Sequence, residues 1–244
     1  MIVYTIKIMN TLPLPKAPWS IRFALETIFI YLIVTIIMTV VGSVSLDLDE
    51  HALATWWYMV TYIGAVVVTL GIITYRLLTT RKSWRDIGMR KTPFWPAVKL
   101  VAYYPIAVLA LLFAVVVISV IYFSFIGGDP PESPETATRT LNFYTIAITI
   151  IVAPFIEEVL FRGLLLSSLA QHMRIRYAVI IASIIFALVH ASVFLDGNII
   201  GIIGLFLGSL YLCYMFVRTS SILPGIAVHM LHNFIVGVVF VIFA

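Results

Sequence analysis

Charged side chains are scarce in this chain: lysine, arginine, aspartate and glutamate make up 11% of its 244 residues. A typical soluble domain has about 25%. Hydrophobic residues make up 62%, and the mean hydropathy is +1.12. This composition excludes an ordinary water-soluble fold and predicts an integral membrane protein.

Cysteine is nearly absent as well. The single residue, Cys213, excludes an intramolecular disulfide and a metal site built from several cysteines. It lies in an apolar run, where we expect it to contribute to packing. The net charge of +4 is modest, and its distribution along the chain is explained by membrane sidedness, so we expect no nucleic-acid partner.

Seven apolar runs are long enough to cross a bilayer, which requires about 20 residues. They cover residues 21–43, 53–77, 97–126, 141–170, 177–194, 199–217 and 222–243. We expect the first to be an anchor, because it is longer than the apolar region of a signal peptide. The sequence therefore predicts an all-α, polytopic transmembrane bundle.

A basic loop, residues 76–99, separates the second and third runs and holds seven of the 15 lysines and arginines. We expect it to be cytoplasmic and to lie on anionic headgroups. With the N-terminus in the cytoplasm, 13 basic residues fall on that side, so the positive-inside rule predicts this orientation in the cell membrane. We divide the chain into an N-terminal region with three spans, residues 1–140, and a helical core, residues 141–244.

The fourth run places charges where they are costly. An ionisable side chain at bilayer depth costs at least ~2.5 kcal/mol, so Glu157, Glu158 and Arg162 indicate a functional site. On an α-helix, Glu158 and Arg162 are i,i+4 neighbours and can form an ion pair. Glu157 is rotated by about 100° and must find partners on other helices. Pro154, just before the glutamates, removes a backbone hydrogen bond and is expected to bend the helix.

Two later runs carry residue pairs at i,i+4 spacing: Phe186 with His190, and His229 with Asn233. At 1.5 Å per residue these groups lie at depths compatible with Glu157, so we expect one shared site, with Phe186 as a wall. We expect His232, on a partly different face, to be structural.

Peptide hydrolysis requires a base that activates water and donors that stabilise an oxyanion. A glutamate can be the base, and histidine and asparagine can be the donors. A zinc site is the alternative for His229 and His232, but the His-Glu-x-x-His pattern is absent, so we expect no metal and no cofactor. A transporter with a proton relay, or a non-catalytic scaffold, also accommodates these charges.

In this order and on separate runs, the three motifs Glu157-Glu158-x-x-x-Arg162, Phe186-x-x-x-His190 and His229-x-x-x-Asn233 resemble the CPBP family. These are CAAX-protease and bacteriocin-processing intramembrane endopeptidases. The resemblance implies about seven to eight membrane helices around an intramembrane cavity, and a membrane-associated peptide or lipidated protein as substrate. It implies that Glu157 and His190 activate water, that His229 and Asn233 form the oxyanion hole, and that Arg162 stabilises the glutamate pair.

Overall fold

The computed structural model describes residues 19–45, 51–92, 146–190 and 199–243, with scattered helical residues between 97 and 125. All regular structure in these ranges is helical, which confirms the predicted all-α class for the described residues. The helices are α1 (Ile21–Ser45), α2 (His51–Thr79), a 3₁₀ turn (Trp84–Ile87), α3 (residues 147–172), α4 (Ile175–Val189), α5 (Ile199–Thr219) and α6 (Leu223–Phe243).

Two helices in the described ranges contain a stretch with the length and hydropathy of a membrane span. Within the described residues, Met59–Thr79 and Gly201–Thr219 are long and apolar enough to span, and α4 and Leu223–Val236 are shorter apolar helices. Large apolar side chains lie outward on α1 and α2, with Phe29 63% and Val67 62% exposed, as expected of faces that contact lipid.

The number of spans, seven or eight, stays a prediction. Three predicted features lie outside the described residues: most of the third span, the proline-rich loop 127–140 with the boundary at 140, and the turn at 196–198.

The helix that carries the glutamates is not a regular α-helix. Wide π-helical turns cover Ala147–Val152 and Glu158–Leu166, and the α-helical segments Ala153–Glu157 and Ser167–His172 follow them. Pro154 lacks a backbone N–H, and its ring crowds the preceding turn, so a widened turn ahead of it relieves the clash. Such turns occur frequently at functional sites.

Side-chain donors satisfy carbonyl groups in the second π-helical stretch. The Leu164 carbonyl accepts hydrogen bonds from Trp19 Nε1 (3.2 Å) and from Ser168 Oγ (2.7 Å). The single hydroxyl hydrogen of Ser167 is shared between the carbonyls of Gly163 and Leu164, the latter at 3.1 Å. Away from water these acceptors need such partners, because an unpaired backbone group is costly in hydrocarbon. Trp19, from the N-terminal region of the chain, therefore stabilises the glutamate-bearing helix.

Helix α3 lies at the centre and contacts α1, α4, α5 and α6, while α1 packs along α2 and α4 along α5. The residues of the second π-helical stretch are all buried. At Gly204 and Gly208 of α5, an added Cβ atom would meet nothing within 4 Å. Close approach occurs instead at Gly163 and Gly225, which border the charged residues.

Candidate active site

The Glu158–Arg162 ion pair predicted from the i,i+4 spacing is present. Arg162 Nη1 donates to Glu158 Oε1 at 2.9 Å, and both residues are 0% exposed. Removing one partner of such a pair costs about 3–5 kcal/mol, because a charge is left buried without compensation. This pair therefore fixes the side chains of Glu158 and Arg162.

Two contacts that the sequence did not indicate complete the arginine's surroundings. Arg162 Nη2 donates to Ser209 on α5, at 2.9 Å to Oγ and 3.3 Å to the carbonyl oxygen. Its guanidinium carbon lies 4.8 Å from the centre of the Phe186 ring. Phe186 thus acts as more than the predicted wall, since a ring face at this distance attracts a cation. A serine in an apolar helix carries too little sequence signal to be singled out.

Glu157 occupies a different environment. Its side chain is 15% exposed, and its two carboxylate oxygens lie near two histidines on other helices. Oε1 is 3.9 Å from His190 Nε2, and Oε2 is 3.7 Å from His229 Nε2. Both distances are longer than a direct hydrogen bond, and a water molecule can bridge polar atoms at such a separation. The two neighbouring glutamates are therefore distinct: Glu158 is enclosed and Glu157 lies at the open side.

His190 follows the last residue of α4, where the chain leaves the helical conformation (φ −93°, ψ 36°). Its Nδ1 lies 2.8 Å from the carbonyl oxygen of Phe186. Because a carbonyl only accepts, Nδ1 must carry the proton, and in neutral imidazole Nε2 is then the acceptor. The helix end therefore directs a proton-accepting nitrogen at the region beside Glu157.

His229, on α6, lies between the glutamates. Nδ1 is 3.2 Å from Glu158 Oε1, and Nε2 is on the side of Glu157. One turn earlier, Gly225 makes room for the carboxylate: a Cβ atom there would lie 2.8 Å from Glu158 Oε2. Among the described residues, Glu158 Oε2 and Arg162 Nε have no hydrogen-bond partner. The glycine permits α6 to approach α3 closely enough for the histidine to reach both carboxylates.

Asn233 lies one turn beyond His229 on the same helix. Its Nδ2 donates to the Thr149 carbonyl at 2.8 Å, in the first π-helical stretch of α3. An amide nitrogen carries two hydrogens, so one stays available for another acceptor. His232, expected to be structural, has Nδ1 2.6 Å from the hydroxyl of Tyr104, in the N-terminal region of the chain. The tyrosine is a partner that the sequence did not indicate.

The structure thus brings together Glu157, Glu158, His190 and His229, with Arg162 and Phe186 behind them and Asn233 bonded to the same α3 helix. In the described ranges, no group of three or more histidine, cysteine or carboxylate ligands is arranged to hold a metal ion.

Residues 139–235 match a protein-family model described as "Type II CAAX prenyl endopeptidase Rce1-like". The match covers 97 of 244 residues and includes every residue of the three motifs. Searches of curated proteins and of solved structures found no match. The family match confirms the resemblance to the CAAX proteases, which are integral membrane proteins and proteases.

Proposed function

We propose that this chain, whose residues 139–235 carry the type II CAAX prenyl endopeptidase family domain, is an intramembrane endopeptidase that uses Glu157 as its base. Its substrate is a lipid-modified or membrane-presented peptide, cut near the C-terminus. The observation that carries the proposal is the placement of one carboxylate within 4 Å of two histidines from two other helices.

The gaps around Glu157 suit a water molecule that contacts the carboxylate and His190 Nε2 together. Glu157 takes a proton from this water as its oxygen attacks the carbonyl carbon of the peptide. His190, whose Nε2 faces Glu157, takes part in the transfer of that proton to the leaving amine nitrogen. The products are a carboxylate and a free amine, and neither a covalent intermediate nor a bound group has to be formed on the protein.

His229 and Asn233 are the donors proposed for the oxyanion. His229 donates from Nδ1 to Glu158, and donation from Nε2 to the developing charge requires a proton on that nitrogen as well. The second amide hydrogen of Asn233, the one not used by Thr149, is the other donor. Removing one such donor typically slows catalysis about 10²–10³-fold.

Glu158 and Arg162 support the reaction without contacting the substrate. The Glu158 carboxylate holds the ring of His229 in place, in the way that a buried carboxylate orients a catalytic histidine. The Glu158 carboxylate and the Arg162 guanidinium sum to zero charge, so neither is left buried without a counter-charge.

We also propose the orientation and division predicted from the sequence: a cytoplasmic N-terminus in the cell membrane, an N-terminal region of residues 1–140 and a catalytic core of residues 141–244. The two regions depend on each other. Trp19 donates to a carbonyl of the core, and Tyr104 shares a hydrogen bond with a core histidine. The N-terminal region therefore contributes to the position of the catalytic helices.

The test compares two isosteric substitutions on the cleavage of a prenylated CAAX peptide by purified protein. Glu157→Gln should abolish turnover and leave thermal unfolding nearly unchanged, because this side chain is partly exposed. Glu158→Gln should lower both turnover and thermal stability, because the ion pair of Glu158 with Arg162 is buried. Full activity of Glu157→Gln would refute the mechanism. If the wild type does not cut the peptide, and the two substitutions change stability alone, the result would favour a non-catalytic scaffold.

A further inference from the structure

The chain leaves α2 through an arginine in a conformation that favours glycine. Arg81 has φ +54°, and the amides of Arg81 and Lys82 donate to the carbonyls of Leu78 (3.1 Å) and Leu77 (2.8 Å). This is the Schellman ending of a helix, in which the left-handed position is usually glycine. In this left-handed backbone conformation an arginine is less stable than a glycine. The presence of arginine at this position therefore points to a role for its side chain.

The segment after it is held firmly to the core helices. Asp86 Oδ2 accepts from the Ser83 amide at 2.8 Å, and Ile87 is 0% exposed and packs on Gly163 of α3. Gly88 turns the chain at φ +94°, and its carbonyl accepts from the Ile222 amide at 3.0 Å. Residues 81–91 therefore form a fixed surface attached to α3 at Gly163 and to the start of α6.

Four basic side chains on this segment are exposed: Arg81, Lys82, Arg85 and Lys91. None of them forms an ion pair with an acidic residue among the residues that the structure describes. The acid in the segment, Asp86, is already bonded to Ser83. The surface thus holds four positive charges in a fixed arrangement with no acidic counterpart on the described protein.

We propose that these four residues, the basic loop surface, bind the headgroups of anionic phospholipids. Their charge matches an anionic headgroup, and a loop between membrane helices lies within reach of the bilayer surface. Because the segment is fixed by Ile87 and Gly88, its charges are placed in advance, which lowers the cost of ordering them on binding. This site is separate from the proposed active site, and its test needs no substrate.

The experiment measures lipid bound to the full-length protein in detergent by native mass spectrometry, with phosphatidylglycerol and phosphatidylcholine compared. Wild type should bind phosphatidylglycerol preferentially. Loss of each charge should weaken that binding by about fivefold. The triple variant R81Q/K82Q/R85Q should therefore lose about 100-fold in phosphatidylglycerol affinity.

A matched control, R174Q/R176Q/R218Q, removes the same number of exposed positive charges elsewhere and should retain the preference. Equal losses in the two triple variants would overturn the proposal, because net charge alone would then explain binding. No preference for phosphatidylglycerol in the wild type would overturn it too.

Arg81→Gly separates the lipid role from a structural one. Glycine suits the left-handed position, so thermal stability should stay unchanged or rise. Phosphatidylglycerol affinity should still fall about fivefold. If the phosphatidylglycerol affinity of Arg81→Gly is unchanged, Arg81 does not bind the headgroup and the proposal for the basic loop surface is wrong.

Discussion

Replacement of Gly225 by alanine tests whether the close approach of α6 to α3 builds the charged cluster. The new Cβ atom would lie 2.8 Å from Glu158 Oε2, so the carboxylate must withdraw to an ordinary contact of at least 3.4 Å. Its other oxygen is held by Arg162 at 2.9 Å and by His229 at 3.2 Å, which resist this movement.

Crowding of this kind costs about 1–3 kcal/mol. The loss rises towards about 3–5 kcal/mol if the ion pair separates. The expected effect is lower thermal stability in detergent and a large fall in peptide cleavage, since His229 shares the Glu158 carboxylate.

Gly208→Ala is the matched control, because a Cβ atom at Gly208 meets nothing within 4 Å. Alanine is favoured over glycine in a helix by about 0.5–1 kcal/mol, so this control should be neutral or stabilising. Equal stability and activity in the two variants would refute the packing described for Gly225.

Two further substitutions probe contacts of the core. Arg162→Lys keeps the charge, but a lysine cannot bond to Glu158 and Ser209 at the same time. Thermal unfolding should therefore show a loss of stability of about 1.5–3 kcal/mol. A loss no larger than that caused by Ser209→Ala would contradict this. Tyr104→Phe removes the 2.6 Å hydrogen bond to His232 and should lower stability by about 1–3 kcal/mol. The value of kcat should stay within about twofold of the wild type. A much larger fall in kcat would make His232 a participant in the reaction.

The helices themselves were readable from the sequence, because long apolar runs leave few alternatives in a membrane. The predicted runs at 21–43 and 199–217 lie within the observed α1 and α5. The π-helical turns around Pro154 were not predicted, since hydrophobicity reports the length of a helix and not its hydrogen-bonding pattern. The number of spans is still a prediction from hydropathy.

The sequence by itself determined which residues are costly in a membrane and which of them are helical neighbours. The spacing of Glu158 and Arg162 was sufficient to predict their ion pair, because an i,i+4 contact depends on the local helix alone. The tertiary structure decided the rest. Ser209, Gly225 and Tyr104 are distant in sequence from the groups they contact, so only the packing of α3, α5 and α6 and the helical residues near 104 reveals them.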